Sequence, residues 1–438
     1  MKRLEQVERR LSRGSHADQY IQFMREYEAL GHMEEVPADE TGEKLAMTNY
    51  LPHHFVLREE STTTKLRVVF NGSVKTSSGL SINNCLLVGP KVQDDLFYHL
   101  LRFRFNAIAL KADIVKMFRQ FLVSMLDRDF QRILWRETPD QEAKEYRLIT
   151  VTYGTASGPH FAARCMKQLS LDYKDEYPEA AEVMGRNFYV DDLMVSVSTK
   201  ETGIRLQTDL DILAAKAGMV LGKWDSNDSQ VLTHVPLESR AKNSKFKIDD
   251  DKFVSKALGV QWDSLNDYLV FEGFVSRKAE RVTKRVVLSE MSRVFDPLGL
   301  LAPVTVKIKI FFQRLWTPIE SDGQSMILDW DDELPENYRQ EWDSYQNGML
   351  RINKFRIPRV LCLAGTVRCE PQGFSDASER AYSAIVYLRW FGWIGNSTAH
   401  VCKAQGCTTQ SAVNSEVGIV RSSTFGQTDK YSGISYVT

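Results

Sequence analysis

Phe188-Tyr189-Val190-Asp191-Asp192-Leu193-Met194-Val195-Ser196-Val197 reads as two short apolar runs, Phe188–Val190 and Leu193–Val197, separated only by a pair of aspartates. That spacing predicts a β-hairpin with Asp191-Asp192 at its tip. A two-residue hairpin turn ordinarily takes glycine or asparagine, because its central residues need positive φ. Two adjacent carboxylates instead repel one another unless a cation lies between them. A divalent metal is the natural cation for such an oxygen-rich site. A solvated acidic turn would carry the same string, so the rest of the chain has to decide between the two.

Working outward, Ile108-Ala109-Leu110 followed by Asp113 predicts a strand that ends in a third acid. Three carboxylates on neighbouring strand ends form a set able to hold two divalent ions about 3.5–4 Å apart. Upstream, residues 1–35 have helical periodicity broken near Gly14, and Pro37–Gly42 is a polar linker. His54–Leu57 and Leu66–Phe70 predict two strands joined by a Glu59–Thr64 turn, and Val92–Phe103 predicts a helix with Leu96, Leu100 and Phe103 on one face. Asp127 to Trp135 fits helix or strand. Gly158-Pro159 opens a helix through Leu169, since proline suits a first helical turn. Further helices are predicted over Thr202–Ala217 and Lys278–Val294, a strand pair near Leu258–Val260 and Leu269–Phe271, and an apolar stretch over Val304–Trp316.

The bulk numbers limit what partners this chain takes. Its 438 residues suit two or three domains, and 43% hydrophobic with 26% charged residues is ordinary for a soluble globular protein. A net charge of -1 gives no global basic footprint, so any nucleic-acid contact has to be local, in a groove. Six cysteines, none in a CxxC pair, do not make a zinc site and read as reduced thiols. The charged start Met1-Lys2-Arg3-Leu4-Glu5 is not a signal peptide, and no apolar run has the length of a membrane span.

Tyr189-Val190-Asp191-Asp192 is similar to the YxDD box of retroviral and retrotransposon reverse transcriptases, and Ala112-Asp113-Ile114-Val115-Lys116-Met117-Phe118 resembles their upstream palm box. The resemblance implies that Asp113, Asp191 and Asp192 are catalytic ligands of two Mg²⁺ (or Mn²⁺) ions. One ion would lower the pKa of an attacking 3′-hydroxyl, and the other would neutralise the leaving pyrophosphate. It places Phe118 under the sugar of the incoming nucleotide, where a ring excludes a 2′-hydroxyl; an ordinary core aromatic is the alternative. Lys65-Leu66-Arg67-Val68-Val69-Phe70 looks like the fingers segment, with Lys65 and Arg67 on the triphosphate, against the alternative of an exposed strand with basic residues in water. Thr152–Pro159 falls where the family has a PQGxxxSP-like loop, with Tyr153 standing where glutamine is usual; Tyr153, Gly154 and Tyr189 are then nucleotide-site residues. Gly222-Lys223-Trp224 resembles the next palm box, whose lysine protonates pyrophosphate, and a plain surface lysine is the competing reading of Lys223. Leu258–Trp262 resembles the primer-grip hairpin.

Leu51-Pro52-His53-His54, Leu87-Val88-Gly89-Pro90 and Ser292–Pro303 resemble one branch, the BEL/Pao class of long-terminal-repeat retrotransposons. The implied fold is α+β: a right-hand polymerase with an antiparallel palm sheet, followed by a truncated RNase H-like α/β segment. Its expected parts are a helical extension over 1–50, fingers 51–105, palm 106–225, thumb and connection 226–345, an RNase H-like start over 346–389, and a poorly ordered tail over 390–438. Asp376 resembles the first RNase H carboxylate, and no later acids follow in pattern. Codons can be chosen for His400–Gly426 so that a one-base shift restores a family-like continuation, which would make 390–438 an out-of-frame tail. The implied activity is RNA-directed DNA synthesis with RNA template, DNA primer and dNTPs as partners and RNase H activity lost. Other polyprotein products are possible partners, and a cytoplasmic virus-like particle or the nucleus is the expected location. A degraded relic that at most binds nucleic acid is the main competing reading, and a metal-dependent nuclease is a third.

Overall fold

A computed structural model of the protein describes residues 1–37, 40, 48–57, 65–241, 254–257, 259–271, 280–321, 324–361, 366–392 and 404–408. The turn expected at 59–64, most of the polar linker, Leu258, the start of the helix expected from Lys278, and most of 390–438 lie outside the described residues.

The N-terminal periodicity becomes two helices, α1 (Lys2–Ser12) and α2 (Ala17–Ala29), parted at Gly14. Leu4, Val7 and Leu11 of α1 and Tyr20, Met24 and Tyr27 of α2 are buried, which is the helical spacing seen in the sequence. The helical reading through 35 ends early, because Met33–Glu35 is a strand, β1. Next come β2 (His53–Leu57), β3 (Leu66–Phe70), the short α3 (Ile82–Cys85), α4 (Leu96–Phe105) and β4 (Ile108–Ile114). The ambiguous stretch from Asp127 is both things in turn: a 3-10 turn at Arg128–Gln131, then β5 (Arg132–Trp135). β6 (Lys144–Leu148) precedes α5 (Gly158–Asp172), which has proline in its first turn, and α6 (Pro178–Arg186). The acid-bearing segment gives β7 (Phe188–Tyr189) and β8 (Asp192–Val197), followed by α7 (Lys200–Lys216) and β9 (Leu221–Ser226). The remainder contains β10 (Val254–Ala257), β11 (Val260–Asp263), β12 (Tyr268–Val270), α8 (Lys284–Met291), α9 (Ala302–Arg314), β13 (Ile319–Ser321), β14 (Gln324–Met326), α10 (Glu336–Met349), β15 (Arg356–Pro358), β16 (Thr366–Ala377), β17 (Tyr382–Gly392) and β18 (Ala404–Thr408).

The larger sheets have the strand orders β7-β8-β4-β9, β1-β6-β5, β10-β11-β12-β15 and β16-β17-β18, and β2 pairs antiparallel with β3. The chain forms two compact units. The first comprises Met1–Asp94, Ala112–Leu193 and Arg205–Gly222. Its core joins α1 and α2 to β2, β3, β5 and β6 through Tyr20, Tyr27, Phe55, Phe70, Trp135 and Leu148. Fully buried His53 donates from Nε2 to Leu134 O at 2.9 Å, which leaves Nδ1 to accept from the Tyr20 hydroxyl. Burial lowers the His53 pKa and so favours this neutral form.

The second unit comprises Asp95–Lys111, Met194–Ile204 and Lys223–Thr438. Leu100, Phe103, Ala109, Met194, Trp262 and Leu298 form one of its cores, and Val287, Ile308, Phe311 and Trp342 another. Arg359 is 0% exposed. It pairs with both oxygens of Asp267 at 2.6 and 2.9 Å and donates to the carbonyls of Phe103, Asn106 and Ala107 at 2.6–2.9 Å. The segment Phe295-Asp296-Pro297-Leu298-Gly299-Leu300-Leu301 also acquires a structural reason. The Asp296 carboxylate accepts from Leu300 N (2.8 Å) and Leu301 N (2.7 Å), and Gly299 takes a φ of 68°, which turns the chain into α9 with Leu298, Leu300 and Leu301 buried.

Candidate active site

The hairpin register moves the acidic turn by one residue. Phe188 pairs with Leu193 and Tyr189 with Asp192, so the tip is Val190-Asp191 rather than Asp191-Asp192. The cause is burial: Phe188 and Leu193 are 2% and 0% exposed, and a slip of one residue would turn both outward. Val190 therefore occupies a turn position with φ 57°, a conformation that costs a β-branched residue strain. Gln93 holds the turn from outside the hairpin. Its Nε2 donates to Phe188 O at 3.1 Å, and its Oε1 accepts from Val190 N at 3.2 Å. Nothing in the sequence reading singled out Gln93; a lone polar residue in a loop gives no pattern.

Asp113 is the penultimate residue of β4, half-buried like Asp191 and Asp192. The next residue ties it to the hairpin, since Ile114 N donates to Asp191 O at 2.9 Å. On the other side Val115 N donates to Val220 O at 2.9 Å. A Cβ added to Gly222 would lie 3.0 Å from Val115 Cγ2 and 3.8 Å from Asp113 Oδ1, so glycine there permits the close approach. Among the described residues, the non-glycine ones with positive φ besides Asp267 are Lys116, Val190 and Lys223, each within three residues of Asp113, Asp191 or Gly222. Strained backbone of this kind collects at functional sites.

The donor chemistry fits divalent metal: three carboxylates, with oxygen ligands only. Backbone hydrogen bonding brings their strand ends together. Among the described residues, however, no three His, Cys, Asp or Glu side chains are gathered so as to hold an ion. Three like charges with no cation between them are expected to stand apart.

The other expected site residues fall as follows. Lys65 and Arg67 are exposed, Arg67 alternating along β3 with buried Leu66, Val68 and Phe70. Phe118 is half-buried in a 3-10 turn at Met117–Gln120. Tyr189 is half-buried on β7, and Lys223 is exposed on β9, in the second unit. Tyr153 has a packing role: its ring lies 5.6 Å from that of Phe70, and its hydroxyl donates to Val68 O at 2.6 Å. Burial pushes its pKa up to about 12. Gly154 has a φ of 99°, and a Cβ there would sit 2.3 Å from Phe70 O. Asn83 completes this loop, donating to Gly154 O (3.0 Å) and Ser73 Oγ (2.9 Å) and accepting from Ala156 N (2.8 Å). Asp376 is exposed near the end of β16, opposite Ser383 of β17.

The solved structures that resemble the chain include two foamy viral ones. One is a foamy viral protease-reverse transcriptase in complex with an RNA/DNA hybrid, with a TM-score of 0.50, 12% identity, and coverage of 91% of this chain and 44% of that one. The other is a foamy viral protease-reverse transcriptase in complex with double-stranded DNA, with a TM-score of 0.45, 12% identity, and coverage of 89% and 54%. The chain thus spans about half the length of these structures. No curated protein sequence matches it. The fold is a mixed α/β one resembling that of the foamy viral reverse transcriptase. Residues 283–406 match the Pao retrotransposon-like RNaseH-like domain. That match begins at Thr283, the N-cap of α8, and takes in both 346–389 and the 283–345 stretch that the sequence reading gave to thumb and connection.

Proposed function

We propose that the protein is an RNA-directed DNA polymerase with fingers over 51–105, palm over 106–225 and thumb with connection over 226–345. The observation that carries this reading is the hydrogen bond from Ile114 N to Asp191 O, which holds the acid-bearing end of β4 beside the acid-bearing turn. Asp113, Asp191 and Asp192 would hold two Mg²⁺ or Mn²⁺ ions, which supply positive charge to the primer 3′-oxygen and the leaving pyrophosphate. Lys65 offers the triphosphate a point charge and Arg67 a planar fork. Phe118 excludes a 2′-hydroxyl, and Lys223 donates the proton that pyrophosphate takes up. Tyr189 and Gly154 shape the nucleotide site, while Tyr153 supports it through Val68. RNA template, DNA primer and dNTPs are the partners, with other polyprotein products as further ones, in a cytoplasmic particle or the nucleus.

The test is primer extension on poly(rA)/oligo(dT) with Mg²⁺. Extension by the native chain, reduced to background in Asp191→Asn at an unchanged thermal midpoint, is the expected result. Equal extension by Asp191→Asn sinks the assignment. A second reading, a relic that binds nucleic acid without polymerising, draws on the acids standing apart as ligands. Template-primer binding with no extension by the native chain would favour it.

A further inference from the structure

We propose that the open cavity between α1 and the β2–β3 pair binds the phosphodiester backbone of a single-stranded nucleic acid, a proposal that deepens the polymerase reading by giving the strand a second holding point. The cavity measures about 360 Å³, lies in the first unit, and is lined by Arg3, Gln6 and Arg10 of α1, His54 and Phe55 of β2, and Asn71 just after β3. Its size is that of sites that take small organic groups.

Three observations point to an anion. Arg3, Gln6 and Arg10 stand at i, i+3 and i+7, so one helix face presents two cations and an amide to the cavity. Neither arginine has a carboxylate partner among the described residues. The two acids of α1 are engaged elsewhere, Glu5 with Arg9 at 3.8 Å and Glu8 with Arg136 at 2.7 Å. Among the described residues, no acidic residue lines the cavity. A pair of unneutralised guanidinium groups facing one space is what phosphate recognition uses, because each offers in-plane donors that match phosphate oxygens.

Arg10 is held over the buried ring of Phe55 at 4.3 Å, which keeps that cation at the cavity. One further feature favours a strand over a lone phosphate. Arg67, exposed and directly opposite Val56 in the β2–β3 register, carries basic charge onto the same hairpin. A polyanion can use both places; a free phosphate uses one.

The experiment measures binding of a fluorescein-labelled 15-nucleotide single-stranded RNA to the full chain across a salt series. The double variant Arg3→Gln/Arg10→Gln is compared with Lys2→Gln/Arg13→Gln, which removes equal charge from α1 outside the cavity. Losing two phosphate contacts reduces the magnitude of the slope of log K against log salt by about 1.4, since each contact on single strands contributes about 0.7. Affinity near 100 mM salt falls roughly tenfold, the scale of two exposed charge-assisted contacts. The control pair leaves the slope unchanged. Arg3→Gln alone, which spares the Phe55 contact, gives half the slope change and guards against a folding effect of the double variant. Equal losses in both doubles, or none in the cavity double, overturn the proposal. So does displacement of the RNA by millimolar inorganic phosphate or AMP alone with no slope change in the cavity double, which would make this a mononucleotide or phosphate site. Primer extension run in parallel separates the two claims: no extension by the native chain with the slope change retained removes the polymerase reading and leaves the cavity standing, and extension with no slope change does the reverse.

Discussion

Gln93 and Val190 set the turn that carries Asp191, and both act through the backbone. Val190 accepts a φ of 57° because Phe188 and Leu193 on either side of the turn are buried and fix the register. Gln93 then occupies the main-chain groups that such a turn leaves outside the ladder, Phe188 O and Val190 N. Gln93→Ala is expected to lower stability by about 1–2 kcal/mol in urea denaturation, the worth of two ordinary hydrogen bonds. If Gln93 positions Asp191, the variant also lowers kcat for primer extension with little change in KM for dNTP. A stability loss with kcat unchanged would make Gln93 a purely structural clamp. The strands that carry the three aspartates were legible in the sequence because acids beside apolar runs stand out by type. Gln93 and Asn83 were not, since their value lies in which distant backbone groups they meet.

The elements themselves followed from periodicity wherever one face is buried: β2 and β3, α4, β4, α5 and α7 all lie where alternation or helical spacing predicts them. Legibility failed where pairing or a turn decided instead. Met33–Glu35 leaves the helical pattern because β6 offers it a partner, and the hairpin tip moved by one residue because burial outweighs turn propensity. Tyr153 is the clearest case: sequence position suggested a nucleotide contact, while its hydroxyl ties the 152–157 loop to β3. That burial has a pH consequence. Tyr153 titrates at about 12 when folded, above the usual tyrosine value near 10, so the folded state keeps its proton more tightly. The contribution is complete below pH 10 and is lost between pH 10 and 12, by about 2–3 kcal/mol. Burial raises Tyr20 and Tyr27 in the same core, in the same direction. Urea melts at pH 9 and pH 11 should show the loss, and Tyr153→Phe should make it smaller; an equal loss in the variant would assign it to the other tyrosines. Arg359 plays the corresponding part in the second unit, joining the end of α4, the Asp267 turn and β15. Arg359→Met removes the cation paired with Asp267, which keeps Trp262 Nε1 and Asn227 Nδ2 as side-chain donors. It also removes the side-chain donor to Phe103 O and Asn106 O, and a loss of about 3–5 kcal/mol is expected. A loss under about 1 kcal/mol by denaturant titration would show that water replaces it.

At the scale of the whole chain, a net charge of -1 means that affinity for nucleic acid cannot come from overall attraction and has to be built at particular places. The acid-bearing turn with bound metal and the Arg3–Arg10 cavity are the two places proposed for it, both in the first unit. The second unit holds the stretch that matches the Pao RNaseH-like domain, and there the chemistry is thinner. β16, β17 and β18 form an antiparallel sheet whose last strand lies within the stretch expected as a tail, and Asp376 sits exposed near a strand end. Its Oδ1 accepts a local hydrogen bond from Ala377 N at 2.9 Å. Cleaving the RNA strand of a hybrid by two-metal chemistry needs several acids around one pocket, and no such group includes Asp376 among the described residues. The sequence reading, in which no acids follow Asp376 in pattern, predicts that a chain able to extend primers does so without degrading the template behind them. With 5′-labelled RNA in an RNA/DNA hybrid and Mg²⁺ or Mn²⁺, the label should stay at full length while the DNA strand grows. Shortened RNA whose appearance is abolished by Asp376→Asn, with extension unchanged, would mean that the missing acids are supplied by residues beyond 392 and that the domain is whole.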